Sequence, residues 1–284
     1  MELFNEVFAH QNLRLLNHTN VKTIFSKPYN ALASFAIEDA IATVVGQKSA
    51  PPTVRLWVHK PTLVLGIPDS RLANLHEGVN YIQKLNYDVI IRNSGGLAVL
   101  LDRNVLNISF ILPDKDRVSI HEGYDLMYYF TKQLFASERA TISAYEIVGS
   151  YCPGDYDLSI DGQKFAGISQ RRVRNGVAVQ MYLDIAGSSY ERANIVKKFY
   201  NLAKGDSDSS FTYPDVNPHV MASINELLHT DFTVEYIFKR IYTLFSEITE
   251  KPLDSELIEQ EEPLFNDRLQ QMKKRNEVIR SFKQ

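Results

Sequence analysis

The sequence predicts an α+β fold: a mixed, largely antiparallel sheet flanked by helices, with a small helical region towards the C-terminal end. Three observations carry this. Two hairpin signals follow one another, Asp161-Gly162 and Asn175-Gly176, each between β-rich runs, and both dipeptides suit the positive φ angles of tight two-residue hairpin loops. Apolar residues recur at helical spacing over residues 30–45 and again over 119–137, the pattern of helices laid on a core. Beyond residue 188 the period is helical throughout.

Taken in order, residues 1–29 read as an arm with short apolar clusters (Leu13, Leu15, Leu16; Val21, Ile24, Phe25). Leu32, Phe35, Ile37 and Ile41 mark a helix over residues 30–45, with Asn30 as its cap and Gly46 as its stop. Thr53 to His59 and Thr62 to Ile67 are β-rich and read as a hairpin across Lys60-Pro61. A short helix over 71–86 precedes a strand from Tyr87 to Arg92, and a Gly95-Gly96 stretch leads into the strand 105–112. The helix over 119–137 carries Ile120, Leu126, Met127, Phe130 and Leu134 on one side. A strand over 142–148 delivers the chain to Cys152, and the two hairpins follow, with strands over 156–160, 163–169 and 177–185. Helices are expected over 190–204, 220–228 and 233–249, a polar loop over 205–210, and a terminal helix with Pro263 near a break. The expected organisation is an arm (1–29), one main domain (30–250) and a helical tail (251–284).

Composition narrows the function classes. With 284 residues, 44% hydrophobic and 23% charged, the chain can build a sizeable core. A net charge of −3 gives no global reason to expect nucleic acid as a partner. The single cysteine excludes an internal disulfide framework and a cysteine-rich zinc site. No HxxxH, HExxH or clustered carboxylate–histidine spacing occurs, so no metal is expected. No apolar run approaches the roughly 20 residues of a membrane span, and the first residues, MELFNEVFAHQN, lack the basic-then-apolar order of a signal peptide. A soluble, cytoplasmic protein with no membrane partner is expected.

The chemistry gathers around Gly149-Ser150-Tyr151-Cys152-Pro153-Gly154, a loop punctuated by glycine and proline, with Lys164 twelve positions further on across the Asp161-Gly162 hairpin. A lone cysteine is most often a small buried hydrophobe. Beside a cation in an open loop it is a thiolate nucleophile. Other features leave two readings open. Gly95-Gly96 is a plain turn or a place where backbone amides approach a bound group. Arg171, Arg172 and Arg174 bind phosphate or an acidic partner, or line the edge of a solvated strand. His59 is structural or stands near the site. The nucleotide loops GxxxxGK[ST] and GxGxxG are absent.

Arg92-Asn93-Ser94-Gly95-Gly96-Leu97-Ala98-Val99, with Asp102 and Leu106-Asn107-Ile108-Ser109, resembles the signature loop and strand of the lipoate ligase, octanoyltransferase and biotin ligase superfamily, close to RRxSGGGAVxHDxxNLNxS. Gly149 to Gly154 together with Asp157-Leu158-Ser159-Ile160, Gly162 and Lys164 to Arg172 resembles one branch of it, the octanoyl-[GcvH]:protein N-octanoyltransferases, which are lipoyl amidotransferases of Gram-positive bacteria. The resemblance runs from about residue 30 to about 245. It implies an acyltransferase of protein lipoylation, with Cys152 as the acyl-thioester nucleophile and Lys164 lowering the thiol pKa. The octanoyl or lipoyl group would leave a lysine of the glycine cleavage H protein for a lysine on the lipoyl domain of a 2-oxoacid dehydrogenase E2 subunit. Arg92, Ser94, Gly95, Gly96, Ala98 and Gly167 would bind the acyl group, and Val99, Leu101, Ile91 and Trp57 would line an apolar slot or belong to the core. Leu97 stands for the third glycine of the pattern and Leu101 for its histidine. These departures weaken the case for an acyl-adenylate, so no ATP or other cofactor is expected. The alternatives are an octanoyltransferase fed by acyl carrier protein, an ATP-dependent lipoate ligase, and a non-catalytic lipoyl-domain binding protein.

Overall fold

Seven strands pair into the main sheet, in the spatial order β1 (Arg14–His18), β4 (Thr53–Trp57), β8 (Val105–Leu112), β12 (Gly176–Asp184), β11 (Gln163–Val173), β10 (Asp157–Ile160) and β9 (Ser143–Ala144). Only the β1–β4 pair is parallel; the rest of this sheet is antiparallel. A three-stranded sheet orders β6 (Asp88–Ile91), β5 (Thr62–Leu65) and β7 (Val99–Leu101). A small ribbon joins β2 (Thr23–Ile24) to β3 (Lys27–Pro28). The helices are α1 (Glu2–Phe8), α2 (Ala31–Gly46), α3 (Leu75–Lys84), α4 (Ile120–Leu134), α5 (Ser189–Ala203), α6 (Ile224–Leu228), α7 (Val234–Ser246), α8 (Glu261–Arg275) and α9 (Glu277–Ser281). This is a computed structural model, and it describes residues 2–9, 12–113, 118–205, 212–249 and 255–282. None of its helices is long and apolar enough to cross a membrane among these residues.

The period of two along a strand sorts the main sheet into two faces. Leu106, Ile108, Phe110 and Leu112 of β8, with Val177, Val179, Met181 and Leu183 of β12, enter a core closed by α1, α4 and α7. Phe4, Phe8, Phe110, Phe130 and Phe245 meet there ring to ring. The opposite face carries Arg55, Asn107, Ser109 and Gln180, all buried, because it is roofed by α2 and the small sheet instead of water. Two buried layers thus share one sheet, and its polar alternate positions become the floor of a cleft.

Helix α2 begins as its sequence predicts: the Asn30 side chain accepts from the Ala33 amide at 3.0 Å, and all but one of its residues are buried. The helix packs on the main sheet and against α8. A buried Arg14–Glu261 pair at 2.5 Å ties β1 to α8. Asn276 lies against β6, its carbonyl accepting from the Ile91 amide at 2.7 Å and its amide donating to the Ile91 carbonyl at 3.0 Å. The C-terminal helices therefore complete the edge of the small sheet.

Several expectations are corrected. Residues 53–67 do not form a hairpin. Both edges of β4 are already taken, by β1 and β8, so the chain crosses at Lys60-Pro61 into the small sheet, where β5 pairs with β6 and β7. The stretch read as an arm supplies α1 and the edge strand β1. Only Ser143–Ala144 of the strand expected over 142–148 pairs; the Ile147 amide turns instead to the Asp157 carboxylate at 3.1 Å. The helix expected over 220–228 starts only at Ile224, because Met221 bridges to Lys164 and the Ala222 amide donates to the Lys164 carbonyl at 3.0 Å. Of the polar loop over 205–210, all but Gly205 lies outside the described residues.

Candidate active site

The second limb of the first hairpin explains how a lysine reaches the cysteine loop. Asp161 and Gly162 both take positive φ, 50° and 77°, as a tight hairpin loop requires. Leu158 pairs with Ala166, yet Ser159 pairs with Lys164, so Phe165 is an extra residue in β11. Such a bulge resets the alternation of side chains. Phe165 and Ala166 both enter the core under α4, and Lys164 comes onto the face of Gly167, whose added Cβ would lie 3.4 Å from the lysine Cε.

Lys164 is fully buried. Its ammonium meets Asp157 Oδ1 at 2.8 Å, the Cys152 carbonyl at 2.9 Å, the Tyr151 carbonyl at 3.1 Å and Ser150 Oγ at 3.2 Å. Burial pushes the Asp157 carboxyl up, and Lys164 and the amides of Ile147 and Gly154 pull it back. The lysine thus gathers the carbonyls of the cysteine loop and pairs with the carboxylate below them.

The sulfur has different neighbours. Cys152 is half-buried with φ of 48°, a left-handed conformation that is uncommon for a residue with a side chain. Its Sγ accepts from the Leu97 amide at 3.1 Å and lies 3.6 Å from Arg92 Nη2. The Arg92 guanidinium also donates to the carbonyls of Gly95 at 3.0 Å and Leu97 at 2.9 Å. Gly96 has φ of 90°, and a Cβ there would lie 2.8 Å from Sγ and 2.5 Å from Arg92 Nη2. Glycine is required at this position, both by the backbone and by the room that thiol and guanidinium need.

Behind the sulfur opens a cleft of about 250 Å³. Val64, Val99 and Leu101 of the small sheet form one wall; Trp57 and Tyr182 of the main sheet form the other, and Phe35 of α2 contributes from above. Asn107 and Gln180 supply polar positions within it. Gln180 donates to Glu38, which also accepts from Arg55 at 2.6 Å and Ser109 at 2.8 Å, while Trp57 Nε1 donates to Ser109 at 3.0 Å. The floor is therefore a satisfied polar network, which holds the slot walls in one arrangement.

Of the residues singled out in the sequence, the structure brings Cys152, Arg92, Ser94, Gly95, Gly96 and Gly167 to this cleft, with Trp57, Val99 and Leu101 as liners. Lys164 sits beneath the loop. Ala98 is fully buried and is not among the lining residues; its amide donates to Tyr200 Oη at 3.1 Å. Ile91 is a core residue. Ser94 Oγ is buried with no hydrogen-bond partner among the described residues. Arg171 is committed to Asp39 through two contacts of 3.0 Å, and Arg172 to the Val118 carbonyl at 2.7 Å and the Gln170 side chain at 3.1 Å. His59 meets Trp57 edge to face with centroids 5.0 Å apart, and burial together with the Arg55 charge lowers it to about 3. Sequence reasoning missed the Leu97 amide, Asp157 and Tyr200. Asp157 alone left a signal, as a carboxylate within the same glycine- and proline-marked stretch.

Residues 30–246 match the lipoyl protein ligase A/B catalytic domain. The chain is 48% identical over 277 residues to the octanoyl-[GcvH]:protein N-octanoyltransferase of Oceanobacillus iheyensis, covering 98% of this chain and 99% of the relative. It is 39% identical over 280 residues to the lipoyl-[GcvH]:protein N-lipoyltransferase of Listeria monocytogenes, covering 98% and 99%. Among solved structures, a lipoate-protein ligase A bound with ATP superposes with a TM-score of 0.67 at 16% identity, covering 92% of this chain and 94% of the other. That likeness confirms the α+β fold with its mixed sheet and flanking helices.

Proposed function

The chain belongs to the lipoyl protein ligase A/B catalytic-domain family, and within it to the octanoyl-[GcvH]:protein N-octanoyltransferases; from that premise we propose that it transfers acyl groups through a thioester on Cys152. The donor is an octanoyl or lipoyl group carried as an amide on a lysine of the glycine cleavage H protein. The acceptor is a lysine on the lipoyl domain of a 2-oxoacid dehydrogenase E2 subunit.

The observation that carries this reading is the convergence of the Leu97 amide and Arg92 on the Cys152 sulfur at the mouth of an apolar slot. A thiolate there gains a hydrogen bond and a nearby cation. In the first half-reaction the bond from the sulfur to the acyl carbonyl carbon forms, the amide bond from that carbon to the donor lysine Nζ breaks, and the departing amine takes up a proton. In the second, the acceptor amine attacks the thioester, loses a proton and restores the thiolate. One lysine amide replaces another, so the overall free energy is close to zero and ATP is not needed. The thioester lies uphill, and donors aimed at the developing oxyanion lower the barriers on either side of it by about 2.7–4 kcal/mol each. Ser94, whose hydroxyl has no partner among the described residues, and Arg92 both line the cleft and are candidates for that role. The slot contributes about 0.8 kcal/mol for each methylene it removes from water.

Incubation with octanoylated H protein, followed by intact and peptide mass measurement, tests the reading. An octanoyl adduct on the Cys152 peptide, lost on adding an apo lipoyl domain and formed without ATP, is the expected result. An adduct elsewhere, full transfer by Cys152→Ala, or a requirement for ATP or for acyl carrier protein would overturn it.

A further inference from the structure

The hydrogen bond from the Leu97 amide to the sulfur depends on how one peptide unit is held. The unit joining Leu97 to Ala98 is gripped at both ends. Its carbonyl accepts from Arg92 Nη2 at 2.9 Å, and its N–H donates to Tyr200 Oη at 3.1 Å. With this plane held at both ends, the φ and ψ of Leu97 are the only soft rotations left between it and the preceding plane, whose N–H points at Cys152.

Tyr200 can accept from Ala98 because its own proton is spoken for. Its hydroxyl donates to Asp69 Oδ1 at 2.9 Å. The other Asp69 oxygen accepts from the Gly66 amide at 2.8 Å. Gly66 supports the opposite side of the same loop: a Cβ on it would lie 1.9 Å from the Gly96 carbonyl oxygen. Asp69 and Tyr200 are both buried, and Tyr213 Oη secures the turn carrying Asp69 through the Pro68 carbonyl at 2.9 Å. Burial pushes the Asp69 carboxyl up to about 6, against the pull of the Gly66 amide, the Tyr200 hydroxyl and the Arg92 charge. An anion buried with no cation in contact is expensive to keep. Here its oxygens are spent on the two elements that flank the thiol cradle.

We propose that Asp69 and Tyr200 are positioning residues for acyl transfer, a two-member clamp that aims the Leu97 amide at the Cys152 sulfur from behind the loop. The proposal rests on Cys152 being the nucleophile, and it extends the machinery to residues that do not touch substrate. Neither residue lines the cleft, so their removal acts on the rate of acylation and on the thiol, with little effect on acyl-donor binding.

The test uses the full chain carrying Tyr200→Phe or, separately, Asp69→Asn, a near-isosteric change that keeps the proposal testable if the tyrosine variant folds poorly. Two readouts are taken: the pH profile of Cys152 alkylation by iodoacetamide, and the kinetics of acylation by octanoylated H protein. Both variants are expected to move the alkylation midpoint to higher pH. Acylation is expected to slow by about tenfold to a hundredfold, with KM changed less than twofold. Asp69→Glu is expected to recover part of the rate. Alkylation profiles and acylation rates equal to wild type in folded variants, or a loss confined to thermal stability, would sink the clamp. Alkylation needs no acyl donor, so the clamp is judged even if wild-type protein forms no adduct on Cys152, a result that would count against the parent reading alone.

Discussion

The Leu97 amide nitrogen stands 3.1 Å from the Cys152 sulfur, inside the 3.6 Å of Arg92, while Lys164 holds the carbonyl oxygen of the same cysteine at 2.9 Å. The two ends of this one residue are thus served by different groups. Backbone and arginine act on the sulfur; the lysine acts on the chain that carries it.

Gly96→Ala separates geometry from folding. The new methyl group would enter the space of Sγ and of the Arg92 guanidinium, at a positive φ that costs a residue with a Cβ about 1–2 kcal/mol. Thioester formation is expected to fall below detection by mass measurement, with a thermal unfolding transition that remains cooperative.

Lys164→Met leaves the Asp157 carboxylate buried without its cation, a change that costs about 3–5 kcal/mol. Denaturant unfolding is expected to show that loss, and the double variant with Asp157→Asn to regain at least half of it. Arg92 makes no direct ion pair with a carboxylate among the described residues, so the expected effect of Arg92→Met is larger on the alkylation profile of Cys152 than on stability.

Leu101→Phe shortens the slot between β7 and the main sheet. Each methylene denied burial forfeits about 0.8 kcal/mol, near fourfold in binding. The KM for octanoylated donor is expected to rise while that for a butanoylated donor stays near its wild-type value. Equal effects on both chains would place the acyl group elsewhere.

His59 sets a pH dependence. The buried ring, lowered to about 3 by burial and by Arg55, binds fewer protons folded than unfolded. Its contribution to stability is present above the ordinary histidine value near 6.5 and is lost as pH falls from there towards 3. His18 is lowered in the same direction, so the comparison must be with a single variant. His59→Phe is expected to flatten the decline in unfolding free energy between pH 6 and 4 by up to about 1.4 kcal/mol per pH unit.

Much of this architecture is legible in the residues. Asp161-Gly162 and Asn175-Gly176 announce their hairpins because few dipeptides accept the required φ angles, and Asn30 and the strand 105–112 fall where pattern puts them. Strand pairing is less legible. That β4 and β5 belong to different sheets follows from which edges are already occupied, a property of the whole sheet and not of Lys60-Pro61. The site divides in the same way. Cys152 and Lys164 share one marked stretch, so their proximity can be read. Arg92 reaches the sulfur from 60 positions away, and Tyr200 is one of 15 tyrosines with nothing in its local sequence to set it apart. The bulge at Phe165, which turns the lysine inward, leaves no mark in composition.

Asn276 gives the order of synthesis a bearing on the site. A growing chain that has just released residue 246 from the ribosome carries the whole segment matched to the family, with Cys152, Arg92 and the slot walls. It still lacks the side chain that holds both backbone groups of Ile91, the neighbour of Arg92. A chain ended before Asn276 is therefore expected to hold β6 less firmly at Ile91, one residue from the arginine that stands beside the thiol.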